Sequence, residues 1–440
     1  MFRFVILAVA CAGAPLCAQV EPDAGKWKTW VIGSAADYRV APPVSQDITQ
    51  ELSEVQDWIS QRTPAVMTRI AFWDAGPPAY RWIQTAANEV ASHNLAGPYG
   101  TRAMALVAAA VNDATIAAWD SKYAYMRQRP SEVDPMLATA VAPPGSPSYP
   151  SDYAAVAGAA ASVLSYLFPD HSDTFDAMAN EAAQSRLLAG VEFPSDSTEG
   201  MKLGHRIGAV AVTYAQADGS DTVFTGSFPP APGKWSNPNP VAPLAGTWKP
   251  WALTSGSQVR LAAPPAFDSA EMAAQLQQVQ QQMRTTDQTR TAWVWQPSFI
   301  NPWLDTIAQK LFEHHLDRDP PRAAEAYASA MIAQHDATIA CWDTKYTYLE
   351  MRPVMFDATI STLFATPAHP SFPSGHACAS GAVAQVLDIV FPDESAAFDA
   401  QASAAGLSTF YAGIHFPNDV DAGLKLGRAA AQVVLADQTR

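Results

Sequence analysis

Three short motifs near the C-terminal end combine side chains able to seat and attack an oxyanion. Lys345 and Arg352 stand seven residues apart, two turns of a helix, a spacing that predicts both long cations on one face. Pro373-Ser374-Gly375-His376 precedes an Ala-rich helical run. A hydroxyl, an unhindered glycine N–H and a helix N-terminus together make a seat for negative charge. His415 and Asp419 stand four apart, which on a helix lets the carboxylate hold one imidazole nitrogen and leaves the other free to act. Each pattern alone is common in purely structural settings. In this order they define one candidate oxyanion site.

The elements that position these residues are duplicated. Residues 113–130 are echoed by 336–353 with 12 of 18 positions identical, at an offset of 223. The same offset pairs Pro150-Ser151 with Pro373-Ser374, Phe168-Pro169-Asp170 with Phe391-Pro392-Asp393, and Asp196 with Asp419. No gap is needed from about residue 113 to 205, so the chain holds two copies of one supersecondary unit. Ala- and Leu/Val-rich segments such as 154–167 and 377–389 have few interior breakers, and alternating strand patterns are nearly absent. The expected fold is all-α: two tandem helical bundles joined by a Pro/Trp-rich strap. The organisation read from composition is a signal peptide over 1–18, an N-terminal segment over 19–69, a first bundle over 70–218 that has lost its site residues, a strap over 219–269, and a second bundle over 270–440. The strap carries Trp235, Trp248 and Trp251 among its prolines, so it is expected to pack as ordered chain.

Composition bounds the function. The 440 residues are 48% hydrophobic and 16% charged, ample for a large core and unlike a disordered chain. A net charge of -15 argues against nucleic acid as a partner and requires any anionic small molecule to meet a concentrated cationic pocket. Arg3, a short apolar run and small residues up to Ala18 predict a secretory leader and an exported, periplasmic or secreted protein without a retained transmembrane segment. Cys11 makes only a loose match to a lipoprotein site. The mature chain keeps Cys341 and Cys378, both of which are alanine in the first copy, at Ala118 and Ala155. A paired change of this kind in an oxidising compartment raises the expectation of a disulfide. His314, His315 and His335 lack ligand spacing, so they are expected at the surface or at helix ends, with no metal.

The ordered motifs K-x6-R-P, P-S-G-H and S-x4-G-x-H-x3-D resemble the signature of the type 2 phosphatidic acid phosphatase and vanadium-dependent haloperoxidase superfamily. The surrounding Pro370-Ser371-Phe372, Tyr411 to Pro417 and the Pro-Gly-Lys-Trp strap are similar to its soluble bacterial haloperoxidase-like branch. The resemblance covers roughly residues 70 to 440. It implies that Lys345, Arg352, Ser374 and Gly375 bind the oxyanion, that His376 is the acid/base, and that His415, oriented by Asp419, bonds to phosphorus or vanadium. The activity it implies is phosphate-ester hydrolysis through a phosphohistidine, with no cofactor. The alternatives are a vanadate-dependent haloperoxidase acting on halide and peroxide, with vanadate on His415, and a weakly active oxyanion-binding protein.

The third alternative arises because the family's third motif begins Ser-Arg, and here it reads Ser408-Thr409. Losing one guanidinium would remove about 2–4 kcal/mol of transition-state stabilisation. Lys234, Lys249 and Arg260 in the strap are the candidates to replace it. The first copy keeps Lys122, Arg129 and Arg186 but has Asp152, Tyr153 and Glu192 where the second has Gly375, His376 and His415. Asp152 and Glu192 are expected to occupy the ancestral anion position and neutralise those cations.

Overall fold

A computed structural model describes residues 19–43, 48–95 and 97–438. The expected leader lies outside the described residues. Proline at the first turn and Ser or Thr caps start most helices. The principal ones are α1 (Ile48–Ser60), α2 (Pro64–Asp74), α3 (Pro78–Ser92), α4 (Pro98–Tyr125), α5 (Asp152–Leu167), α6 (Ser172–Leu188), α7 (Pro194–Gln216), α8 (Ala270–Gln280), α9 (Thr286–Trp295), α10 (Asn301–Glu313), α11 (Pro320–Tyr348), α12 (Gly375–Val390), α13 (Ser395–Tyr411) and α14 (Pro417–Gln438). Among the described residues no strand forms beyond one isolated bridge, Ala231 to Lys234. None of these helices is long and apolar enough to cross a membrane.

The chain builds two equivalent helical bundles, α3–α7 and α10–α14. Their longest helices, α4 and α11, are buried along most of their length and pack on each other between the bundles. A helix that is apolar nearly all round is stable only inside such a core. One continuous cluster of buried side chains runs through both bundles, so they share a core. His335 sits in this seam, 3% exposed, with Nδ1 3.1 Å from Thr101 Oγ1 of α4. Burial pushes it down to about 3, so it is a neutral packing residue. The surface placement expected for it is therefore corrected.

Glycines bring the last helix of each copy onto the helix that opens the site. A Cβ on Gly204 would lie 2.1 Å from the Ala155 carbonyl, and one on Gly427 would lie 2.1 Å from the Cys378 carbonyl. These backbones touch, and no other residue allows that approach.

The strap is itself part of the duplication. Asp336 accepts the N–H groups of Trp251, Ala252 and Leu253, and Asp113 accepts those of Trp30, Val31 and Ile32. Arg260 pairs with Asp343 as Arg39 pairs with Asp120, each at 2.7 Å or less. The Trp342 and Tyr346 side chains donate to the Val241 carbonyl, as Trp119 and Tyr123 donate to that of Val20. Each bundle thus carries its own N-terminal arm, at an offset of 221 rather than 223. The two-residue change in offset hides this part of the repeat from a gap-free comparison.

Candidate oxyanion site

The two cations do not share a helix face. α11 ends at Tyr348, Leu349 turns the chain in the left-handed region at φ 55°, and Arg352 returns from the following loop. The seven-residue spacing reflects this turn and not two helical turns. Lys345 Nζ donates to the carbonyls of Pro370, Ser371 and Pro373, which spends all three of its N–H groups on the loop before α12. Arg352 donates from Nε to the His369 carbonyl at 2.9 Å and from Nη1 to that of Ile414 at 2.7 Å. It also reaches His415 Nε2 at 2.9 Å and His369 Nδ1 at 3.0 Å. Burial lowers Lys345 to about 8 and Arg352 to about 10.

His415 precedes α14, and Asp419 lies in that helix's first turn. The Asp419 Oδ2 atom accepts His415 Nδ1–H at 2.8 Å, the Ser371 hydroxyl at 2.6 Å and the Phe416 N–H at 3.1 Å. One carboxylate oxygen therefore caps the helix and orients the imidazole. A guanidinium can only donate, so its contact fixes His415 Nε2 as the unprotonated acceptor and Nδ1 as the proton carrier. Burial, with Arg352 beside it, holds His415 well below the usual histidine range. Burial pushes Asp419 up, but the hydrogen bonds to His415, Glu350 and Ser371 prevail and hold it at about 2.

Ser374 caps α12. Thr409 commits its hydrogen to the Gly406 carbonyl at 2.7 Å, so the Ser374 hydroxyl donates to Thr409 across 3.1 Å. The N–H groups of Gly375 and His376 open the helix and have no protein acceptor among the described residues. A Cβ on Gly375 would come no closer than 3.4 Å to Trp342, an ordinary contact. Packing does not demand glycine here, so its small size keeps room at the helix N-terminus.

These groups open on a cavity of about 630 Å³. Gly375, His376 and His415 lie on its floor together with His369, and Phe299, Ile300 and Trp342 supply apolar walls. Val90, Ala91, Asn94, Leu95 and Gly97 of the first bundle close one side, so both copies build the pocket. His376 donates Nε2–H to the Trp295 carbonyl at 3.0 Å, leaving Nδ1 as its free nitrogen, and burial lowers it to about 4. Sequence reasoning missed His369, Trp342 and the 296–301 segment. The repeat held a signal for His369, whose counterpart is Ser146. Its Nδ1 accepts from Arg352, so its proton resides on Nε2.

The strap supplies no replacement for the arginine lost at Thr409. Lys234 donates to the Tyr348 carbonyl at 2.9 Å, Lys249 lies 4.6 Å over the Tyr214 ring, and Arg260 is bound to Asp343. None of the three lines the cavity. The disulfide that the sequence left open does not form: Cys341 and Cys378 are buried free thiols, sharing a hydrogen bond and filling space that alanines fill in the first bundle. His314 is exposed and bonded to Glu394, and His315 sits in the turn after α10. Among the described residues one cluster has metal-ligating types, Glu89, His93 and His171 at the surface of the first bundle. Its nitrogens are taken up by Glu89 and Asp170.

In the first bundle Lys122 lies 3.1 Å from Asp152 and Arg129 3.9 Å from Glu192, so both carboxylates reach the cations expected for them. Arg186 departs from that expectation. It reaches out to Asp74 at 2.7 Å and covers the Tyr153 ring at 4.1 Å.

The PAP2 superfamily model matches this chain twice, over residues 102–220 and 323–440. The chain belongs to that superfamily. No curated protein sequence matches it. Among solved structures, a bacterial vanadium-dependent iodoperoxidase aligns with a TM-score of 0.65 at 21% identity, over 82% of this chain and 96% of that one. A holo-type bacterial vanadium-dependent chloroperoxidase aligns at 0.59 and 14% identity, over 79% of this chain and 93% of that one. At these identities the likeness is one of fold.

Proposed function

We propose that this protein is an enzyme that hydrolyses phosphate esters at His415. The observation carrying this reading is the fixed tautomer of His415: Nδ1–H is held by Asp419, Nε2 is an unprotonated acceptor bonded to Arg352, and His415 lines the same cavity as Gly375 and His376. An incoming phosphoryl group would draw the Arg352 N–H from Nε2 to its own oxygen. Nε2 would then attack phosphorus as the ester P–O bond breaks, giving a phosphohistidine and the free alcoholate. His376 has no proton to give from its cavity-facing nitrogen in this state, but its Nδ1 can take one from water. Water attack would then break the P–N bond and release inorganic phosphate. Esters whose alcoholate leaves without a proton, such as aryl phosphates, suit both this protonation state and the Phe299 and Trp342 walls.

A second reading is favoured by the charge at the site. Lys345 spends its N–H groups on carbonyls and Thr409 is neutral, so Arg352 is the cation nearest the cavity histidines. That suits a singly charged oxyanion such as vanadate. Arg352 and the Gly375 and His376 N–H groups would hold its oxygens in the space kept by Gly375, and the unprotonated His415 Nε2 would bind vanadium. Bound vanadate would supply peroxide activation for halide oxidation. Assay of the purified chain with and without vanadate separates the readings. Aryl-phosphate hydrolysis inhibited by vanadate supports the first, and peroxide-dependent bromination requiring vanadate supports the second. Neither activity would leave an oxyanion-binding protein.

A further inference from the structure

Behind His415 lies a carboxyl group that neither reading uses. Glu350 is 6% exposed, and neither of its side-chain oxygens has a donor in reach. The Asp419 Oδ1 atom is in the same position, although Oδ2 accepts three donors. Glu350 stands at the repeat position whose side chain in the first bundle reaches the matching aspartate, which puts its carboxyl beside Asp419. Three buried acceptor oxygens of these two carboxyls therefore lack any N–H or O–H partner. Such an arrangement is untenable as two carboxylates, because each orphaned acceptor costs free energy and the charges repel.

The sister bundle shows what this place requires. The counterpart of Glu350 is Arg127, whose Nη1 donates at 2.7 Å to Oδ1 of Asp196, the counterpart of Asp419. Oδ2 of Asp196 accepts the Ser148 hydroxyl and the Phe193 N–H, as Oδ2 of Asp419 accepts those of Ser371 and Phe416. The Ser and Phe donors correspond one to one; His415 adds a donor that Glu192 does not supply, and an acid stands where the cation should be.

We infer that Glu350 is a positioning residue that carries a proton and donates it in a hydrogen bond to Asp419 Oδ1. One shared proton satisfies Asp419 and removes the repulsion, and a neutral donor holds the carboxylate without cancelling its charge toward His415. It also sets the charge of the pocket. Lys345 and Arg352 oppose Asp419 alone while Glu350 is neutral, and deprotonation of Glu350 would cancel the remaining positive charge. The groups facing Glu350 are Asp419 from α14, Lys345 from α11 and Arg352 from the loop after it, with His415 beyond Asp419. Burial and the Asp419 charge both favour the neutral form, which agrees with a Glu350 pKa raised well above the ordinary carboxyl value.

The inference concerns the resting protein and stands apart from which reaction the site performs. Infrared spectroscopy of the whole chain at neutral pH should show the C=O stretch of an un-ionised carboxylic acid that is missing from E350Q. The same band should be lost from D419N, where Glu350 keeps its two cations but loses the like charge opposite. Glutamine also donates to Asp419, so E350Q should keep orthovanadate affinity within about threefold, whereas E350L, which cannot donate, should weaken it roughly tenfold or more. A wild-type spectrum without the acid band, or Gln and Leu variants with equal affinity, would overturn the assignment. If E350L does not fold, the spectra of wild type, E350Q and D419N decide the matter alone.

Discussion

The two bundles hold the same loop with the same cations and differ in what they place in front of it. Lys122 binds the carbonyls of Pro147 and Ser148 as Lys345 binds those of Pro370 and Ser371. Arg129 ties Ser146 to Val191 as Arg352 ties His369 to Ile414. The Lys/Arg pair is therefore first a device for building the loop, present with or without a site. Asp152, Tyr153 and Glu192 then fill and neutralise one copy, and Gly375, His376 and His415 leave the other open. Burial and the neighbouring Asp152 push Glu192 up to about 7.

The largest expected effect follows from removing the histidine that the first bundle replaces with Glu192. His415→Ala should lower turnover by at least about 10³-fold in a standard phosphatase or bromination assay, whereas Glu192→Gln should leave it unchanged. Retained activity in the histidine variant would erase the distinction between the copies. Gly375→Asp transplants the closing residue of the first bundle. Because a Cβ fits there, the variant should fold with an unchanged circular dichroism spectrum yet lose about 10²-fold or more in kcat/KM, as the carboxylate takes the anion's place. Thr409→Arg runs the comparison the other way. By restoring the cation of Arg186 it should raise kcat/KM by about tenfold or more.

The pH profile gives a smaller but diagnostic effect. His376 must be unprotonated to take a proton, and burial has lowered it, so activity should persist through the ordinary histidine range and fall only as pH drops through about 4. Lys345 loses its charge as pH rises through about 8, and oxyanion affinity should decline there. A limb near pH 6.5 would instead point to an exposed histidine. Smallest of all, the double replacement of Cys341 and Cys378 by alanine, as in the first bundle, should change kcat by no more than about threefold, and mass analysis without reductant should find two free thiols.

The helical duplication and the motif residues were legible because the second copy aligns with the first without a gap across them. Ser374, Gly375, His376, His415 and Asp419 come together as their spacing suggested, although His415 precedes its helix and Arg352 lies beyond the end of another. What spacing could not show was the left-handed turn at Leu349, which converts a supposed helix face into a loop clamp. That the strap repeats the N-terminal arm escaped notice because its offset differs by two residues. His369 and Glu350 were hidden for another reason. Glu350 lies inside the first motif at a position the motif leaves free, His369 stands just before Pro370-Ser371-Phe372, and only the fold brings them to Asp419 and Arg352.

Titration calorimetry with orthovanadate tests the central claim most directly, because it asks which copy holds the anion without assuming a reaction. The account predicts a single site per chain that survives Glu192→Gln and disappears in His415→Ala. Two sites, or binding that persists after His415 is removed, would contradict it.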